Sequence, residues 1–195
     1  MTTTDITCPK CGATFSAPVY NSINLSEMPE MKSQLLSGEL FLAECPQCGF
    51  KRLLKYPMVV LDPDSGMILC LSSSDLKVDE LPAGYSLGRQ VREAGELIEK
   101  LKIFDAGLDD IVMEMCKFVT LQELGKDVGL KFYRIDGADS EITFTYPENG
   151  RMEMLSVGFN VYEDCASILR RNPGLEDSVS GLARIDRSWL AMHLG

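Results

Sequence analysis

The sequence predicts an α+β fold: a small N-terminal β module with an inserted helix, a helical middle, and a small antiparallel sheet with C-terminal helices. Three observations predict it. Two near-identical words, Cys8-Pro9-Lys10-Cys11-Gly12 and Cys45-Pro46-Gln47-Cys48-Gly49, pin the first part of the chain. Apolar residues at helical spacing fill the middle, with Leu87, Val91, Ala94, Ile98 and Leu101 recurring four and three apart. Further on, Ile142, Phe144 and Tyr146 alternate with Thr143 and Thr145 ahead of an Asn149-Gly150 turn, which is a strand leading into a hairpin.

The elements follow in order. After the first cysteine word, residues 13–20 read as extended. Ser26 is expected to cap a short helix carrying Met28, Met31, Leu35 and Leu36, and Gly38 ends it. Residues 39–44 lead into the second cysteine word as a strand, and residues 50–56 leave it as another. Residues 58–61 and 67–71 make a hairpin around Asp62-Pro63-Asp64-Ser65-Gly66. That tip is a turn and not a calcium loop, because Met67 stands where such a loop needs glycine and Ser73 where it needs glutamate.

Residues 72–86, with Asp75, Asp79, Glu80, Pro82 and Gly84, are the expected boundary between an N-terminal module (1–80) and an α+β C-terminal region (81–195). The helix read from Leu87 to Leu101 keeps Arg89, Arg92, Glu93, Glu96 and Lys100 largely off its apolar face. Its apolar stripe packs on the protein's own core or forms a short dimer seam. Residues 105–108 break the helical run, and a second helix is expected over 108–124, ending near Gly125. Strands are expected over 130–135, 142–146 and 152–157. A helix over 161–171 is stopped by Asn172-Pro173-Gly174, and Asp186 caps a last short helix with Trp189, Leu190 and Met192.

The paired cysteine words carry the chemistry. Each Cys-x-x-Cys turn supplies two sulfurs on one tight loop, and the two loops are held apart by 33 residues, positions 12 to 44. Two such pairs together suit one tetrahedral metal, so Cys8, Cys11, Cys45 and Cys48 are read as ligands of a single structural Zn2+. Proline in the first x position fixes φ. Glycine after the second cysteine permits positive φ, so that backbone N–H groups can turn toward the thiolates. The layout is that of a zinc ribbon whose first loop is enlarged by a helix. Four thiolates leave no open position for water or substrate, which argues against catalytic zinc. A thioredoxin-like centre would follow the strand of a βαβ unit and open a helix, whereas too little precedes Cys8 for such a unit and residues 13–20 after the word read as extended. A disulfide pairing would suit a secreted chain, and residues 1–7 have no basic or apolar leader pattern. Cys70, Cys116 and Cys165 lie in apolar or helical patterns and read as small buried hydrophobes.

Composition narrows the function. The formal charge is −10, while residues 1–60 carry five basic and five acidic groups, so everything after them carries the deficit. Strong attraction to nucleic acid or anionic lipid is not expected. No apolar run approaches the length of a membrane span. Paired thiols without a leader suit a reducing cytoplasm.

The two cysteine words, the segment Met31-Lys32-Ser33-Gln34-Leu35-Leu36-Ser37-Gly38-Glu39-Leu40-Phe41, and Tyr56-Pro57 with the Asp62 hairpin together resemble the CpXC domain family over about residues 6–125. The resemblance implies four ligand positions, at Cys8, Cys11, Cys45 and Cys48. It implies no catalytic residue and no substrate.

Four functions fit these features. The first is a zinc-held module for protein interaction or self-association, with Met28, Met31, Phe41 and Phe50 as candidate contacts. The second is a nucleic-acid-associated ribbon, supported only by Lys51, Arg52 and Lys55 with Phe50 and Tyr56 interleaved. The third is an enzyme using Asp109, Asp110, Asp136, Asp139, Glu163 or Asp164, though nothing brings two of these to one site and the single histidine, His193, serves no triad. The fourth is a redox sensor that releases zinc when the thiols oxidise. The first reading leads; no catalytic residue and no small-molecule substrate is inferred.

Overall fold

A computed structural model describes residues 1–137 and 140–194. Among them it shows an α+β fold with strands toward the N-terminus and helices in the middle and C-terminal region. The chain forms two compact units, Met1–Ile98 and Glu99–Gly195.

The first unit opens with β1 (Thr2–Thr7) and β2 (Thr14–Val19), an antiparallel pair running from Thr2↔Val19 to Thr7↔Thr14 around the first cysteine word. The short β4 (Leu42–Glu44) and β5 (Lys51–Leu53) repeat the arrangement around the second, pairing Glu44 with Lys51. Between them lie β3 (Ser22–Asn24), α1 (Met31–Ser37) and a single 3-10 turn, Glu39–Phe41. Ile6, Ala17, Val19, Ala43 and Leu54 form a small core between the two ribbons, with Phe15 and Tyr56 packed against it.

Helix α1 starts later than its sequence suggests. Ser26 sits in a turn, its N–H donating to the Asn24 side chain, and the residue before the helix is Glu30. Pro29 explains the delay, because it disfavours helical geometry at Met28. Gly38 ends the helix as expected, left-handed at φ 79°, with its N–H on the Leu35 carbonyl.

A four-stranded sheet follows in the order β3-β6-β7-β8, formed with β6 (Met58–Asp62), β7 (Met67–Leu71) and β8 (Leu87–Val91). The β6–β7 hairpin is antiparallel as expected, whereas β3 joins β6 and β8 joins β7 in parallel. All five residues of β7 are buried, the signature of a strand flanked on both sides.

β8 corrects the sequence reading. The helix expected from residue 87 begins only at α2 (Ala94–Asp105), and residues 87–91 are a strand. Positions four apart share a face at period 2 as well as at 3.6, so Leu87 and Val91 satisfy both patterns. The helix start is marked instead by Glu96, whose carboxylate accepts the N–H groups of Arg92 at 2.8 Å and Glu93 at 3.2 Å. Buried Gln90 holds the segment before the strand, donating to the Ser74 carbonyl and accepting the Leu76 N–H.

The second unit takes in α2 from Glu99 onward, then α3 (Asp110–Leu124) and a three-stranded antiparallel sheet in the order β11-β10-β9. Its strands are β9 (Lys131–Asp136), β10 (Glu141–Glu148) and β11 (Arg151–Gly158). Asn149 and Gly150 both have positive φ, the turn that Asn-Gly favours between paired strands. Phe132, Ile142, Phe144 and Tyr146 are buried in one core with Ile111, Cys116 and Trp189. Helix α4 (Asn160–Arg171) ends at Asn172, and Pro173 opens a short α5 (Pro173–Asp177) where the sequence suggested only a stop. Asp186 caps α6 (Arg187–Leu194), accepting the Trp189 N–H at 2.8 Å. His193 stacks on Trp189 and donates through Nδ1 to its carbonyl.

This unit also buries charge, which no local sequence pattern announces. Lys100 pairs with Asp110 at 2.5 Å. Lys117 bridges Glu99 at 3.0 Å and Glu114 at 2.5 Å, and Glu99 also accepts the Phe132 N–H at 2.7 Å. All five side chains are buried, so each carboxylate needs its cation and each cation its carboxylates.

Candidate metal centre

The two cysteine words fold into the same knuckle. In the first, the Gly12 N–H donates to the Cys8 carbonyl at 2.9 Å and the Cys8 N–H to the Ala13 carbonyl at 2.8 Å. In the second, the Gly49 N–H donates to Cys45 at 2.9 Å and the Cys45 N–H to Phe50 at 2.9 Å. Both glycines are left-handed, at φ 76° and 66°, a conformation that an L side chain would strain. The repeated Pro and Gly of the sequence thus build one loop geometry twice.

The knuckles face each other. All four Sγ atoms of Cys8, Cys11, Cys45 and Cys48 lie within 4.8 Å of one another, close enough to hold a metal ion. Cys8 and Cys45 are buried, Cys48 is half-buried and Cys11 is exposed. Each knuckle therefore sends its first cysteine inward and its second toward the surface.

Crowding of four thiols separates their proton affinities. At Cys8, desolvation works upward, but the N–H groups of Cys11 and Lys10 and the Cys48 thiol outweigh it and bring the group down to about 6. At Cys11, the Ala13 N–H works downward, while desolvation and the neighbouring sulfurs of Cys48, Cys8 and Cys45 push the thiol up to about 12. Such a cluster accommodates its first thiolate readily and resists further negative charge, which a cation would relieve.

The other candidate residues do not join this site. Cys70, Cys116 and Cys165 are buried, as expected of small hydrophobes. Met31 and Phe41 belong to the interior, Met28 is half-buried, and only Phe50 of that set is exposed. Lys51, Arg52 and Lys55 are exposed on or beside β5, with Lys51 3.5 Å from Glu44. The carboxylates considered for acid–base work are used singly. Asp109 caps α3, Asp110 pairs with Lys100, and Asp136 meets Arg134 and Thr143. Glu163 and Asp164 are exposed on α4, and Asp139 lies outside the described residues. Among the described residues, the four cysteines are the only group of three or more His, Cys, Asp or Glu placed to share a metal ion.

These features define a class: α+β proteins in which paired Cys-Pro-x-Cys-Gly knuckles bring four thiols together. Residues 6–117, more than half of the chain, match the family described as CpXC protein, and the chain belongs to that family. No curated protein and no solved structure matches it. No helix among the described residues is long and apolar enough to cross a membrane.

Proposed function

We propose that Cys8, Cys11, Cys45 and Cys48 hold one structural zinc ion, and that the ribbon-like module it fixes serves protein interaction in the cytoplasm. The carrying observation is the sulfur geometry. Tetrahedral zinc with Zn–S bonds of about 2.3 Å spaces its sulfurs about 3.8 Å apart. The contacts between the knuckles, Cys8–Cys48 at 3.6 Å and Cys11–Cys45 at 3.7 Å, fit that spacing. Four protein sulfurs fill the tetrahedron, so the ion's contribution is to hold the fold. The small core between β1–β2 and β4–β5 has five buried side chains, and a module of that size draws stability from a metal. The seven unbridged cysteines support a reducing compartment.

The interaction reading is supported by the apolar surface of the second ribbon. Leu42 and Leu53, paired across β4 and β5, are 48% and 55% exposed, and Phe50 beside them is 37% exposed.

Elemental mass spectrometry on protein purified under reducing conditions tests the metal assignment. About one zinc per chain is the expected result. No zinc, or iron in its place, overturns it and brings thiol redox chemistry at the four cysteines forward.

One observation favours a second reading, release of zinc on oxidation. Cys11 is exposed while Cys8 and Cys45 are buried, so an oxidant meets the outer sulfur first. Peroxide titration in the presence of a zinc-sensitive dye checks it: stoichiometric release that a reductant reverses supports the sensor, and retention of zinc rejects it.

A further inference from the structure

The first unit contains two open strand edges. Among the described residues β1 pairs only with β2, and β5 only with β4. The phase of each ladder shows which backbone groups are left over. The Cys8 N–H donates to Ala13, so residues 6 and 4 also turn their N–H and C=O toward β2, while Thr3, Asp5 and Thr7 turn theirs away. In the second ribbon the Leu54 N–H donates to Phe41 and the Cys45 N–H to Phe50. Arg52 therefore faces β4, and the backbone groups of Lys51, Leu53 and Lys55 point outward.

These two edges meet at one place. Asp5 and Thr7 from the first edge and Leu53 and Lys55 from the second line a single groove of about 470 Å³. Buried Ile6, Val19 and Leu54 supply its apolar lining. Half-buried Tyr56 completes it, held by its hydroxyl donating to the Leu40 carbonyl at 2.7 Å. Arg52 and Lys55, also lining the groove, are exposed and form no ion pair among the described residues. The one carboxylate there, on Asp5, already accepts the Ser16 hydroxyl. The groove thus offers unpaired backbone donors and acceptors, apolar contact and two unpaired cations.

We propose that this groove binds an acidic, extended peptide segment of a protein partner by strand addition, with its backbone pairing to the open edges of β1 and β5 and its carboxylates meeting Arg52 and Lys55. The inference rests on the protein-interaction reading above and gives it a partner chemistry. At about 3.3 Å per residue, the edge formed by residues 4–7 accommodates three or four residues of the peptide. Alternate side chains would face the apolar lining and the cations.

The test pans a phage-displayed random dodecapeptide library against the zinc-loaded full chain, then titrates a fluorescein-labelled winner by anisotropy. The expected winners alternate apolar residues with Asp or Glu. Arg52→Glu with Lys55→Glu should weaken binding at least about tenfold with metal content unchanged, and Arg52→Gln with Lys55→Gln should weaken it less. Methylating alternate backbone nitrogens of the peptide should weaken it comparably. The amides of Asp5, Thr7, Leu53 and Lys55 should gain protection from hydrogen exchange when the peptide binds. A winner indifferent to the double substitutions and to N-methylation binds elsewhere, which overturns the groove and leaves the interaction reading standing. Recovery of no peptide, together with retention of a single-stranded oligonucleotide that the double substitutions abolish, overturns both.

Discussion

Cys8 Sγ lies 3.6 Å from Cys48 Sγ across 40 positions of sequence. Cys11 and Cys45 repeat the relationship at 3.7 Å. In both contacts an inward cysteine of one knuckle meets the outward cysteine of the other. The cluster therefore has an approximate twofold character, and either knuckle alone supplies half of a coordination sphere. Cys45→Ser should lower zinc from about one per chain to near zero and lower the melting temperature, because structural zinc binding is folding free energy. Cys70→Ser, at a buried cysteine of β7, should leave zinc content unchanged. Elemental analysis of the two variants side by side checks this.

Gly12 isolates the backbone requirement of a knuckle. A Cβ placed there would meet no atom within 4 Å, so a substitution is opposed only by its φ of 76°. Gly12→Ala should cost about 1–2 kcal/mol of zinc-loaded stability, and Gly12→Asn less, because Asn tolerates the left-handed region better. Denaturant unfolding of the zinc-loaded variants measures the difference. Equal losses would remove the conformational explanation.

Glu99 links the second unit's stability to pH. Burial works to raise its pKa, but Lys117, Lys131, the Phe132 N–H and Lys100 together hold it below the ordinary 4.5. A carboxylate with a depressed folded pKa contributes stability that is present above 4.5 and lost as pH falls through the folded value. Glu99→Gln should cost about 3 kcal/mol near neutral pH and flatten the acid limb of stability. Glu114 behaves oppositely. Burial raises it despite Lys117, so its share is present below 4.5 and is lost as pH rises through the raised value. Glu114→Gln should therefore remove a slope of the other sign. Urea unfolding across a pH series reads both.

Asp109 accepts the N–H groups of Ile111 at 2.8 Å and Val112 at 2.9 Å, while its own N–H donates to the Tyr162 hydroxyl at 2.7 Å. Asp109→Ala should cost about 1 kcal/mol, and Asp109→Asn much less, since an amide oxygen keeps the cap. Thermal unfolding of the pair decides whether the side chain acts as a cap or chiefly through its charge.

What was legible in the sequence was local. The cysteine words announce themselves by spacing and bring their own turn residues. Ile142, Phe144 and Tyr146 reveal a buried strand face because period 2 is visible within five residues, and Asn149-Gly150 names its turn. Gly38 and Gly125 closed helices where they were expected to. The parallel pairings of β3 with β6 and β7 with β8 were not legible, because each joins segments remote in sequence and leaves no turn between them. Leu87 and Val91 misled because a four-residue interval serves either period. Charge misled in the other direction. Lys100 falls off the apolar face of its helix pattern and Asp110 stands among carboxylates that the sequence brings to no common site, yet each is the other's buried partner.

The interval between the knuckles has a further consequence. A metal shared by Cys11 and Cys45 would join the ends of a segment that contains β2, β3, α1 and β4. Closing a loop of that length removes about 4 kcal/mol of unfolded-chain entropy on the scale used for crosslinks. β3, one of the two edge strands of the four-stranded sheet, lies inside that loop, whereas β6, β7 and the other edge strand β8 lie beyond it. A metal held there would therefore tie one edge strand of the sheet into the closed loop while the centre and the opposite edge stay outside it.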